Sequence, residues 1–155
     1  MRSLFHIFCC TVCIAAAVGC SSIECPIQIA VNTVYTVEGT LNDTLTIRSK
    51  RINGTDTILY NRGIDLTKFS IPVSYQSPVD TLVFETIRLA AIDTVWLEKQ
   101  DIPHFESVDC SALFFHNITA VRSTHIGIDT IIITNPTVDY DPSNPHLYIR
   151  FKARP

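Results

Sequence analysis

The chain has 155 residues, enough for one domain with a substantial core. Its 15 acidic and 12 basic residues give a formal charge of −3 with no basic stripe. This argues against nucleic acid as a partner and against electrostatic adhesion to anionic headgroups. Charged residues are 17% of the chain, below the usual quarter, as in strand-rich folds whose faces alternate between apolar residues and Thr or Ser.

The chain opens with Met1-Arg2-Ser3, a short positively charged start. Leu4 to Val18 follows without a charge, interrupted only by His6 and Thr11. That run is short for a membrane span and no stop-transfer charges follow it, so it reads as the core of a signal peptide. Its end, Ala17-Val18-Gly19-Cys20, resembles the bacterial lipobox, with Ala17 where Leu is commoner. The resemblance implies cleavage before Cys20, a diacylglyceryl group on its sulfur and acylation of the new amine. Residues 1–19 are then a lipoprotein signal peptide, 20–24 a lipidated linker and 25–155 a single β domain. Two or more acyl chains, at about 0.8 kcal/mol per buried CH₂, make such an anchor effectively permanent. The alternative is an ordinary secretory leader that releases a soluble protein. Cleavage removes only Arg2 among the charged residues, leaving the remainder one unit more negative.

Of the six cysteines, Cys9, Cys10 and Cys13 leave with the leader and Cys20 carries lipid. Cys25 and Cys110 remain. An exported compartment favours oxidation, so the two are expected to pair and to staple the first strand to a strand late in the domain. A loop of that length gives about 4–5 kcal/mol in the chain-entropy model. Two buried free thiols are the alternative. A two-cysteine metal site lacks suggestively spaced further ligands, so neither metal nor cofactor is expected.

Beyond the linker, strand signals dominate. Ile27, Ile29, Val31, Thr33, Tyr35 and Val37 alternate with period two. Leu45 and Ile47 alternate with Thr44 and Thr46, and Asn53-Gly54 offers a tight turn before Ile58-Leu59-Tyr60. Further β-branched or aromatic runs are 81–87, 94–98, 112–121 and 130–134. Leu147, Ile149 and Phe151 alternate with Tyr148, Arg150 and Lys152, a final strand with one wet face. Pro72, Pro78, Pro103, Pro136, Pro142 and Pro145 fall between the runs. No amphipathic helix with caps is seen. About seven to nine short strands separated by turns predict an all-β, two-sheet antiparallel sandwich of immunoglobulin-like kind, with a small β-barrel as second choice.

Asp-Thr-aliphatic occurs five times, at Asp43-Thr44-Leu45, Asp56-Thr57-Ile58, Asp80-Thr81-Leu82, Asp93-Thr94-Val95 and Asp129-Thr130-Ile131, at irregular intervals. Asp suits the end of a turn because its carboxylate can accept nearby backbone N–H groups, and Thr with an aliphatic suits the start of a strand. The triplet also resembles the acceptor site of an O-glycosylation system of some Gram-negative gut bacteria. That resemblance implies a glycan on one or two exposed members of Thr44, Thr57, Thr81, Thr94 and Thr130. Strand-start punctuation is the main reading.

No nucleophile elbow, phosphate-binding glycine loop or paired-carboxylate signature is visible, so no catalytic residue is assigned. His104, His116, His125 and His146 form no HxH or HExxH pair and read as surface or packing residues. Asp139-Tyr140-Asp141-Pro142-Ser143-Asn144 alternates oxygen ligands faintly like a calcium loop, but it lacks the central Gly and the closing Glu, and Asx-type turns are the simpler account. Trp96 lies mid-strand, where a lone Trp is usually core and only sometimes a sugar platform.

Cys20, Cys25, Asp109-Cys110, Leu113-Phe114-Phe115, the run Ile128 to Pro136 and the closing Leu147-Tyr148-Ile149-Arg150-Phe151 together resemble a family of small, uncharacterised lipoproteins of Gram-negative gut and oral bacteria. Cys110-Ser111 stands where Cys-Gly is expected. The resemblance implies a β fold and an envelope location, and it supplies no activity. The function expected is that of a non-enzymatic binding or accessory module, tethered to the membrane by lipid and meeting a protein or glycan partner through loops or a sheet edge. A hydrolase acting on glycan or peptide is the second class, and a fimbrial or adhesive subunit the third. Ser21-Ser22-Ile23-Glu24 holds one acid, whereas surface-export tags are acid-rich, so the periplasmic face of the outer membrane is favoured over the cell surface.

Overall fold

The computed structural model describes Cys25 and residues 31–50, 54–110 and 112–153. The signal peptide, the lipidation site Cys20, the linker, the beginning of the Ile27–Val37 alternation and Asn53 lie outside the described residues. Ten strands and, among the described residues, no helix form two sheets: β1 (Asn32–Leu41), β2 (Leu45–Ser49), β3 (Thr57–Gly63), β4 (Leu66–Pro72), β5 (Val79–Thr86), β6 (Ala91–His104), β7 (Leu113–Ser123), β8 (Ile128–Ile133), β9 (Thr137–Val138) and β10 (Leu147–Phe151). One sheet has the order β4-β1-β10-β8 and the other β3-β2-β5-β6-β7-β9. β7 runs beside β8 and β3 beside β4, where the sheets approach at their edges.

The expected two-sheet sandwich is the fold observed. Every pair is antiparallel except β1 with β10, where Tyr35 lies opposite Leu147 and Val37 opposite Ile149. A parallel pair needs a long connection, and almost the whole domain lies between these two strands.

Alternation fills the core. Val31, Thr33, Tyr35 and Val37 of the first segment are buried, as are Leu45 and Ile47 of β2, Leu82 and Phe84 of β5, and Leu147 and Ile149 of β10. Tyr35 stacks on Phe69 at 4.8 Å, and Phe84 reaches across from the opposite sheet to within 6.1 Å of Tyr35. Such aromatic pairs add about 0.5–1.5 kcal/mol beyond the area they bury.

Several elements depart from expectation. β4 and β9 are strands in addition to the runs read from the sequence. Pro72 closes β4, and Pro103 stands inside β6 opposite Phe114. Both are near strand ends, where the missing N–H is tolerated. Trp96 is half-buried on the outer face of β6, since Val95 and Leu97 take the inner positions, and the Arg122 guanidinium lies 5.9 Å from its ring centre.

Candidate functional site

The strands run between two ends of different character. At the tight-turn end, short links at 42–44, 64–65, 87–90 and 124–127 join the strands. Among the described residues, the four non-glycine residues with positive φ lie in or beside these links: Arg62, Asp65, Ala90 and His125. At the long-loop end lie 73–78, 105–112 and 139–146, with the start of β1 and Cys25. Scaffolded loops of this length are where binding sites are usually built.

Cys25 and Cys110 form a disulfide, with Cα atoms 5.5 Å apart across a separation of 85 residues. The pairing agrees with the cysteine count, but the positions differ from expectation. Cys25 lies outside β1, and Cys110 lies in the β6–β7 loop rather than in a strand. The bridge therefore ties the incoming chain to the longest hairpin. Within that loop the Cys110 N–H donates to the Ser107 carbonyl at 3.2 Å, closing a turn that carries Val108 at its tip.

Beside this loop the inner face of the six-stranded sheet turns polar. β6 continues inward with Lys99 and Asp101 where Val95 and Leu97 were apolar, and the register against β7 slips between Glu98 and Lys99. The Lys99 side chain is fully buried. Its Nζ donates to the Ser77 carbonyl at 2.6 Å and to Asp101 Oδ1 at 3.1 Å. The same carboxylate oxygen accepts from His116 Nδ1 at 2.7 Å. Burial pushes the His116 pKa below the usual histidine value, against the pull of its hydrogen bond to Asp101. Asp80 faces the cluster from β5 and accepts the Ser74 N–H at 3.1 Å. Burial raises its pKa, although the Ser74 N–H and the charge of Lys99 act the other way. An isolated ammonium would not survive at this depth, and the carboxylates are what hold it there. Their common effect is to fasten the 73–78 loop onto the sheet. Tyr75, exposed on that loop, stacks on Phe114 at 5.5 Å.

The cluster joins residues 77, 80, 99, 101 and 116, so no spacing in the sequence announces it. The one available signal was a lysine continuing the inward parity of Val95 and Leu97. His146 is the second histidine with a structural task. It is 1% exposed, and its Nδ1 accepts the Val34 N–H at 2.9 Å. Burial lowers its pKa as well. The 139–144 segment is two successive Asx turns, with Asp139 accepting the Asp141 N–H and Asp141 the Ser143 N–H. Among the described residues, no three His, Cys, Asp or Glu side chains converge as metal ligands.

The Asp-Thr-aliphatic copies separate into kinds. Asp43 accepts the N–H groups of Thr44, Arg88 and Leu89, tying the first interstrand link to the β5–β6 turn. Burial alone would raise its pKa, but the three N–H donors hold it below the usual carboxylate range. Asp93, 2% exposed, accepts from the Thr124 hydroxyl and from the N–H groups of Ile126, Gly127 and Ile128. A Cβ on Gly127 would lie 2.6 Å from that of Ala91, so only glycine brings the backbone to this carboxylate. Asp80 holds Ser74, and Asp129 pairs with Arg150. The copies at Asp80, Asp93 and Asp129 lie within strands rather than in the turn before one. Asp56-Thr57 alone is exposed at both residues. Thr44, Thr81, Thr94 and Thr130 are half-buried.

A sequence profile matches residues 44–151, from the turn before β2 to the last residue of β10. The chain belongs to this family, the family of unknown function DUF6452. The match contains Cys110, the Lys99 cluster and the Asp93 clamp, while Cys25 and β1 precede it. No curated protein and no solved structure matches the chain.

Proposed function

We propose that this DUF6452 protein is an envelope lipoprotein: cut before Cys20, anchored by lipid on that sulfur, and acting as a non-enzymatic binding or accessory module on the periplasmic face of the outer membrane. The observation that carries the reading is the lipobox-like Ala17-Val18-Gly19-Cys20, five residues ahead of a cysteine that is bridged to Cys110. A disulfide closing so long a loop belongs to an oxidising compartment. The module reading rests on the Lys99 cluster, whose groups are satisfied by one another and by the 73–78 loop. If the O-glycosylation resemblance applies, Thr57 is the acceptor, because its motif is the copy in which both residues are exposed.

Cys20→Ser tests the anchor. The variant is expected to move from the membrane fraction to the soluble fraction or to accumulate with its leader uncut. Unchanged membrane retention with a normally cleaved leader would contradict the proposal. Protection from protease added to intact cells is expected for a periplasmic face, and ready digestion would place the domain outside. Thr57→Val is expected to remove any glycan mass from the native protein, and an undiminished glycan would relocate the acceptor.

A further inference from the structure

The long-loop end gathers exposed apolar side chains where the chain enters the fold. Val108 is 99% exposed and Phe105 65% exposed, both on the 105–112 loop that Cys110 ties to Cys25. Around the base of that loop stand Tyr75, stacked on Phe114, and Tyr140, edge-on to Phe115 at 4.9 Å. Tyrosines with a packed ring and a wet hydroxyl suit a membrane–water boundary. The exposed charges of the loop, Glu106 and Asp109, are acidic.

We infer that this end is a membrane-contact surface, with Phe105 and Val108 entering a zwitterionic bilayer and Tyr75 and Tyr140 lying at headgroup level. The inference rests on the lipid anchor proposed above. Five peptide units separate Cys20 from Cys25, and a fully extended chain of that length spans at most about 18 Å. Because Cys25 is bonded to the β6–β7 loop, the anchor cannot let that loop stray far from the headgroups. The acidic loop charges select neutral headgroups, since anionic ones require lysine or arginine. Exposed isoleucines also occur at the tight-turn end, among them Ile126 at 57%. The tether is what distinguishes the two ends, and Ile126 supplies the control.

The test uses the lipidated protein purified from membranes and reconstituted in phosphatidylcholine vesicles, with or without bromine on the acyl chains just below the headgroups. The native Trp96 is the only tryptophan and sits nine residues before Phe105 on β6, about 25–30 Å away. It reports an unquenched background. Phe105→Trp is expected to add emission that brominated lipid largely removes, and Ile126→Trp to add emission that it leaves intact. Adding Val108→Asp to Phe105→Trp is expected to weaken the quenching. Intact mass and vesicle flotation read the anchor separately. Flotation of the lipidated protein with no quenching at position 105 overturns the contact surface and leaves the anchor standing. Equal quenching at 105 and 126 overturns the end-on contact. An unmodified Cys20 overturns both the surface and the anchor.

Discussion

The two ends of the sandwich are fixed by different chemistry. The tight-turn end is held by carboxylates: Asp43 and Asp93 each gather three backbone N–H groups, bracing the links at 42–44, 87–90 and 124–127, and among the described residues the positive-φ non-glycine residues all lie in or beside the links of this end. The long-loop end has no such economy of length. It is held by a covalent bridge, a buried lysine and a pair of Asx turns. Short links can be satisfied by one side chain accepting several neighbouring amides. Loops of six to eight residues need an anchor for each segment. The end that keeps long loops is also the end at which the chain enters.

The largest expected effect is at the bridge. Replacing Cys25 and Cys110 together by serine should lower the unfolding free energy by about 4 kcal/mol in urea titrations. A loss below about 1 kcal/mol would mean that the loop end holds itself without the bridge. Asp93→Ala should follow at about 3 kcal/mol, because three amides and a hydroxyl lose their acceptor where water has little access. Asp93→Asn should recover part of that, since its amide oxygen keeps one lobe of the acceptor. If Asp93→Ala costs as little as a surface substitution, the carboxylate account of the tight-turn end fails.

Lys99→Met should cost about 2 kcal/mol by leaving Asp101 without its cation. The double variant Lys99→Met/Asp101→Asn should lose less than the sum of the single losses, and strict additivity would show that the two side chains do not interact. The smallest effect is in pH. His116 and His146 both have folded pKa values below their unfolded ones, so the unfolded chain takes up protons first. The stability they contribute is complete above about pH 6.5 and is lost as pH falls from there through their lowered folded values. His146→Asn keeps an acceptor for the Val34 N–H and removes one titration, so the acid slope of the urea midpoint should become shallower.

How far all this was legible follows from local pattern. Strands whose inner positions are uniformly apolar, such as Tyr35-Val37, Leu45-Ile47 and Leu147-Ile149, declare themselves by alternation. β4 does not, because its buried Leu66, Phe69 and Ile71 lose period two where β1 shifts register between Thr36 and Leu41. β6 reads as ending near Glu98 because its next inward residues are Lys99 and Asp101, which mimic a solvated end. The cysteine pair was legible by counting once Cys20 was set aside. The Lys99 cluster was not, since its members meet only through the pairing of β5, β6 and β7. The strand-start reading of the Asp-Thr repeat fits Asp43 and Asp56, whereas Asp80, Asp93 and Asp129 lie within strands, and in the strongest copies the carboxylate captures amides from another link, which requires the fold to be seen.

Cys20 decides where the domain lives and what holds it there, and the intact mass of the protein extracted from its native membrane tests that residue most directly. The predicted species begins at Cys20, carries a diacylglyceryl group and an added acyl chain, and has Cys25 and Cys110 oxidised to one another. A full-length chain that retains Met1 and reduced thiols, recovered from the cytosol, would contradict the anchor and the membrane-facing loop end, and would leave the bridge without the compartment argued for it.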